Sequence, residues 1–133
     1  MLKLIPRNPF PHTFADILTA LSSVDRNQFY SNLLNYLDVN DGILVGSGRE
    51  ALYLILKSLL NEGDEVIVPA FSCNVIIGAI KKSGVQPVFS DVCIDSLNMN
   101  LENIVPLVTV KTKAVLVTHQ FGYPADIDET TDF

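Results

Sequence analysis

The chain has 133 residues, 48% hydrophobic and 18% charged, with a formal net charge of -6 at pH 7. That length suits one domain or part of one, is short for a whole cofactor enzyme, and the composition is that of a packed globular chain rather than a disordered one. The acidic balance argues against nucleic-acid binding: lysines gather only as Lys81-Lys82 and Lys111/Lys113, too sparse a cluster to displace counterions from phosphates.

The segment Met1–Arg7 has no apolar core of signal-peptide length, and no stretch approaches the roughly 20 residues needed to span a bilayer. Cys73 and Cys93 show neither CxxC nor Cys/His metal spacing, so no metal is expected, and a soluble protein in a reducing, cytoplasmic setting fits best. Pro6, Pro9 and Pro11 remove backbone donors and predict an extended arm; His12 among them has no functional case. Thr13 with Asp16 reads as a capping box opening a short helix to about Ser22, with Phe14, Ile17, Leu18 and Leu21 on one face. A second helix is expected from near Asp25 through Leu37, ending in the turn-forming run Asp38–Gly42. Residues 1–41 are therefore read as an arm with two helices, and 42–133 as a separate α/β part.

From Gly42 the pattern becomes short β-rich runs alternating with helices, as in a parallel α/β sheet. The expected strands are Ile43–Val45, Glu65–Val68, Pro87–Phe89 and Ala114–Val117. Helices are expected over about Arg49–Leu60, closed by Gly63, and over about Cys73–Lys82, closed by Gly84; a shorter one follows Asn100 and runs to about Val105, near Pro106. The order is β-α-β-α-β-α-β. Leu56, Leu59, Leu60, Ile76, Ile77 and Ile80 form apolar faces and are read as core.

Chemistry enters where the first strand meets its helix, at Val45-Gly46-Ser47-Gly48-Arg49-Glu50-Ala51-Leu52. Glycines allow a tight turn and a close backbone approach, and free N–H groups at a helix start attract phosphate. The bare pattern is weak. It lacks the third glycine of a dinucleotide fingerprint and the Lys-Ser/Thr of a P-loop. Asp91 and Asp95 sit in a turn and read as loop-forming rather than catalytic.

The order of segments is more specific. Ser47-Gly48-x-x-Ala51-Leu52, then Gly63–Ser72, then Gly84–Val92, Leu97-Asn98, Thr112-Lys113-Ala114 and Val117–Asp126 resemble successive blocks of the DegT aminotransferase family. The resemblance covers about two-thirds of the chain, in order. It implies an α/β fold, a partial three-layer α/β/α sheet of the large domain of fold-type-I pyridoxal 5'-phosphate (PLP) enzymes. Such enzymes mostly transfer an amino group, usually from glutamate, to nucleotide-linked keto-sugars. In them the protein fixes the PLP phosphate, covers its ring, pairs its pyridine nitrogen and holds it through a lysine.

On that resemblance, Gly48, Arg49 and Glu50 take the phosphate, chiefly through backbone amides. Arg49 adds a charge contact, and Glu50 is repulsive unless its side chain points away. The alternative is a solvated first turn of helix. Cys73 stands where many members carry the aromatic residue that stacks on the ring; it reads equally as a small buried thiol at a helix start. His119 falls near the cofactor's phenolic oxygen, or serves as a structural hydrogen-bonder.

The resemblance places the Asp that pairs with the pyridine nitrogen, and the Schiff-base Lys, beyond Phe133. The segment by itself is therefore expected to be inactive, with PLP binding weak or absent. The family's strand order 3-2-4-5-6-7-1 predicts a three-strand core in order 3-2-4, with the first strand displaced and an open edge that favours a homodimer or higher oligomer. Three other readings stay open: a non-catalytic remnant that keeps the phosphate loop, a fragment of a sugar dehydratase of the same family, and a small nucleotide-binding α/β domain. The last is disfavoured by Val68-Pro69 where an acidic residue is required.

Overall fold

A computed structural model describes residues 13–21 and 25–127. The proline-bearing arm, His12 and the expected end of the first helix at Ser22 lie outside the described residues. The chain divides into two compact units, Met1–Leu44 and Val45–Phe133.

The first unit carries helices α1 (Phe14–Leu21) and α2 (Arg26–Leu37). The capping box forms as read: Thr13 N donates to Asp16 Oδ2 at 2.6 Å, and Asp16 N to Thr13 Oγ1 at 3.3 Å. Asp25 caps α2 by accepting from the amides of Asn27 and Gln28, which have no acceptor within the helix. After α2, Tyr30 ties the following turn back onto the helix, its hydroxyl donating to Asp41 Oδ1 at 2.8 Å and accepting from Gly42 N at 3.1 Å.

The strand expected at Ile43–Val45 does not form. A strand is held by its neighbour's ladder, and among the described residues no strand pairs with this segment, leaving Ile43 and Leu44 87% and 60% exposed. The second unit therefore runs α3 (Gly48–Leu59), β1 (Glu65–Pro69), α4 (Asn74–Ser83), β2 (Gln86–Ser90), α5 (Leu101–Ile104), a 3-10 turn at Val105–Leu107, and β3 (Thr112–Val115). This is α-β-α-β-α-β, without the first strand of the sequence reading. β3 also begins and ends two residues earlier than expected, and Leu116 N adds one more ladder bond to Ile67 O at 2.8 Å.

The sheet is parallel with order β2-β1-β3, the 3-2-4 arrangement expected for the three later strands. Because side chains alternate along a strand, β1 feeds two opposite cores. Val66 and Val68 pack with Leu56, Ile80 and Val85 under α3 and α4. Ile67 packs with Met99 and Ile104 on the other face, beside Val88 and Val115. Helices thus cover both faces, giving three layers.

Leu59 departs from the core reading. It is 74% exposed, whereas Leu56 and Ile80 are 5% and 0% exposed. The apolar stripe of α3 is broader than the sheet beneath it and extends past β3, forming a groove of about 320 Å³ lined by Ile55, Leu59, Leu60 and Lys113–Leu116 among others. Gly84 closes α4 at φ 87, a left-handed conformation that glycine adopts without strain. Asn100 Oδ1 caps α5 by accepting from Asn103 N at 3.0 Å. No helix among the described residues is long and apolar enough to cross a membrane.

Candidate functional site

In parallel α/β sheets ligands gather at the carboxyl ends of the strands, where loops and helix amino termini converge. Here that edge is built from the Val45–Ser47 turn into α3, the Ala70–Cys73 turn from β1 into α4, the Asp91–Asn100 loop after β2, and the Leu116–Asp126 segment after β3.

The amino terminus of α3 is organised by its own side chains. Ser47, extended at φ -163 and ψ 156, accepts from Glu50 N at 3.2 Å. Glu50 bends back so that Oε2 accepts from Gly46 N at 3.1 Å. This is a capping-box exchange shifted by one residue, and it uses the Glu50 carboxylate inside the turn. Among the described residues the amides of Gly48 and Arg49 have no acceptor. A β-carbon on Gly48 would meet nothing within 4 Å. Those two donors border a recess of about 330 Å³ lined by Ser47, Gly48, Arg49, Leu52, Val75 and Ile76, which joins the start of α3 to the first turn of α4.

Cys73 is the N-cap of α4 but makes no side-chain cap, a thiol being a weak acceptor, and it is exposed rather than the buried thiol of the alternative reading. Two residues earlier, Phe71 meets Phe121 with ring centroids 6.2 Å apart and planes inclined by 55°, a tilted aromatic pair linking the exits of β1 and β3. His119 Nδ1 accepts from Ala125 N at 3.0 Å. An acceptor Nδ1 assigns the proton of the neutral ring to Nε2 and gives the imidazole a local structural bond. The recess at α3 does not include His119.

Two residues at this edge, which the sequence reading used only inside the Leu97-Asn98 and Val117–Asp126 blocks, were given no site role there. Thr118 Oγ1 is buried without a hydrogen-bond partner. Asn98, 2% exposed, reaches the segment after β3 with both ends of its carboxamide. Asp91 behaves as read, its Oδ1 accepting from Val92 N at 2.9 Å inside the loop. Among the described residues no group of three or more His, Cys, Asp and Glu is placed to hold a metal ion.

A model of the DegT/DnrJ/EryC1/StrS aminotransferase family matches residues 19–133. The chain belongs to this family. It is 33% identical over 107 residues to the GDP-perosamine synthase of Vibrio cholerae, covering 80% of this chain and 29% of that protein. It is 37% identical over 98 residues to a dTDP-4-dehydro-2,3,6-trideoxy-D-glucose 4-aminotransferase of Saccharopolyspora spinosa, covering 73% of this chain and 26% of the relative. Among solved structures it is similar to the E. coli GDP-4-keto-6-deoxy-D-mannose-3-dehydratase with bound hydrated PLP, at a TM-score of 0.71 and 29% identity over 80% of this chain and 29% of that one. The DegT-family chain thus spans less than a third of the length of these relatives.

The residues of this DegT-family chain fit a phosphate-bearing cofactor. Gly48 and Arg49 offer two unpaired N–H groups at the positive end of a 12-residue helix, beside an open recess. Of the described lysines, Lys111 and Lys113 are at the opposite end of β3, Lys81 is in the last turn of α4, and Lys57 is on α3 with Nζ 3.5 Å from Ser83 O. Lys82, also in the last turn of α4, lays Nζ 4.8 Å from the centre of the Tyr53 ring and lines a recess of about 390 Å³ with Ser47, Arg49 and Glu50.

Proposed function

We propose that this chain provides the phosphate end and part of the wall of a PLP site in an aminotransferase acting on a nucleotide-linked keto-sugar, with an amino acid as donor. The pair of unpaired amides at Gly48 and Arg49, in a chain of this family, carries the reading. PLP supplies the electron sink when bound. Gly48 and Arg49 bind its phosphate through main-chain N–H groups, and the Arg49 guanidinium adds charge. Cys73, at the mouth of α4, would cover part of the ring, and the His119 imidazole would serve the phenolic oxygen through Nε2–H. Residues 1–133 alone carry out no amino transfer, a reading supported by the described lysines lying on α3, on α4 and at the start of β3, none of them in a loop that leaves the carboxyl end of a strand.

Gly48→Pro tests it. Proline is tolerated at the first position of a helix, and the extended Ser47 is compatible with a following proline, so the variant removes one N–H while leaving α3 intact. PLP titration of the intact protein is expected to show about tenfold weaker binding, the loss of one charge-assisted hydrogen bond. Unchanged affinity with unchanged helical circular dichroism would count against the phosphate assignment.

A second reading, PLP-dependent sugar dehydration, is favoured by the likeness to the E. coli dehydratase. Incubating the intact protein with PLP, glutamate and a nucleotide-linked 4-keto-sugar separates the two: amination adds nitrogen to the sugar, whereas dehydration removes an oxygen without adding any. The groove beside β3 and the unpaired outer edge of that strand further support self-association in a cytoplasmic, reducing setting. A monomer by sedimentation at micromolar concentration would contradict the self-association.

A further inference from the structure

The four residues Gln120–Tyr123 make a turn that ordinary backbone preferences do not favour. Phe121 lies at φ 53 and Gly122 at φ 82, two successive left-handed residues of which only one is glycine. A bulky residue persists there only when its surroundings over-determine the conformation. The surroundings include one side chain that grips both ends of the turn. Asn98 Oδ1 accepts from Gln120 N at 3.0 Å, and Asn98 Nδ2 donates to Tyr123 O at 3.0 Å.

Asn98 does not need its carboxamide for its own loop. That loop is closed by main-chain bonds from Cys93 N to Asn98 O at 2.9 Å and from Leu97 N to Cys93 O at 2.8 Å, with Asn98 N donating to Ser96 Oγ at 3.3 Å. Leu97 is itself left-handed at φ 58, which is the backbone reversal that aims the next residue inward. The whole polar capacity of the Asn98 side chain used here therefore acts on a segment 22 and 25 residues away. The carboxamide accepts at one end and donates at the other; a carboxylate of the same shape loses the donor, and leucine loses both. What the clamp holds in place is Phe121 against Phe71, at the mouth of α4, and the segment that His119 Nδ1 fastens from its other side.

We propose that Asn98 is a positioning residue of the site: by clamping Gln120 and Tyr123 it sets the Phe71–Phe121 wall beside Cys73 and the orientation of the segment bearing His119. Its bearing on the cofactor rests on the PLP reading above. The test uses the intact protein with Asn98→Leu and Asn98→Asp. Amide exchange by NMR is expected to speed up about tenfold or more at Gln120 in Asn98→Leu, while Val66–Val68 in the central strand keep wild-type protection and report that the fold is intact. Asn98→Asp retains the acceptor but not the donor to Tyr123 O, and should restore part of the protection at Gln120. In the same variants PLP affinity should fall by about tenfold for Asn98→Leu and by less for Asn98→Asp, in the order of the loop's protection.

Equal exchange at Gln120 in wild type and Asn98→Leu overturns the clamp. A loosened loop with wild-type PLP affinity overturns the positioning role and leaves the cofactor reading intact. A wild-type protein that binds no PLP overturns both.

Discussion

The start of α3 and the segment after β3 border the same sheet edge, yet they are built on opposite principles. At α3 the groups available to a ligand are main-chain amides of Gly48 and Arg49, and the side chains of Ser47 and Glu50 serve only to close the turn around them. After β3 the main chain makes only a short 3-10 turn at Gln120–Gly122, closed by bonds from Gly122 N to His119 O and from Tyr123 N to Gln120 O, and side chains fasten it in place, Asn98 from one loop and His119 from within. A backbone-built site tolerates changes of side chain, because its donors come with helix geometry; a side-chain-built one depends on particular atoms in distant residues.

The largest way to break this contrast is through the two cores. Ile80→Ala removes a fully buried side chain under α3 and α4, and Ile67→Ala one on the face that carries Met99, the neighbour of Asn98. Each is expected to lower stability by about 3 kcal/mol or more in chemical denaturation. Ile67→Ala alone should also accelerate exchange at Gln120. Identical exchange patterns in the two variants would mean that the two faces of the sheet do not govern the two regions separately.

Smaller effects follow from removing single groups. Gly48→Pro should act on PLP affinity and leave Gln120 protected, and Asn98→Leu should change both. Glu50→Gln keeps an acceptor for Gly46 N but removes a negative charge from the positive end of α3. Stability is expected to fall by a few tenths of a kcal/mol while PLP affinity rises by about threefold, opposite signs from one charge near a helix terminus. A drop in affinity would show that the carboxylate assists the site.

The smallest effect lies in the helical unit. The Tyr30 hydroxyl, and after it the Gly42 amide, hold the Asp41 carboxyl below its ordinary value of 3.8. A pKa depressed in the folded state contributes stability that is present above the unfolded value and is lost as pH falls through the folded one. Asp16 is likewise lowered, first by the Thr13 amide and then by its hydroxyl. Both pairs are exposed to solvent, so the contribution is slight. Carbon-detected titration should find the Asp41 value rising toward 3.8 in Tyr30→Phe, with the Asp16 value unmoved.

What could be read along the chain was local. The cap at Thr13 and Asp16, the start of the second helix near Asp25, the left-handed stop at Gly84 and the cap at Asn100 each depend on residues within a few positions of one another, and all stand where the sequence places them. The resemblance carried the 3-2-4 order and the family. Tertiary structure alone decided the rest. Ile43–Val45 has the composition of a strand, but the ladder that makes a strand belongs to a neighbour. Leu59 has the periodicity of core, but burial depends on how far the sheet extends beneath its helix. Asn98 and Thr118 enter the sequence reading only as members of the Leu97-Asn98 and Val117–Asp126 blocks, with no role of their own. Their importance comes from partners found, or left unfound, across the fold, and a side chain's hydrogen bonds 22 and 25 residues away leave no period or spacing in the sequence to announce them.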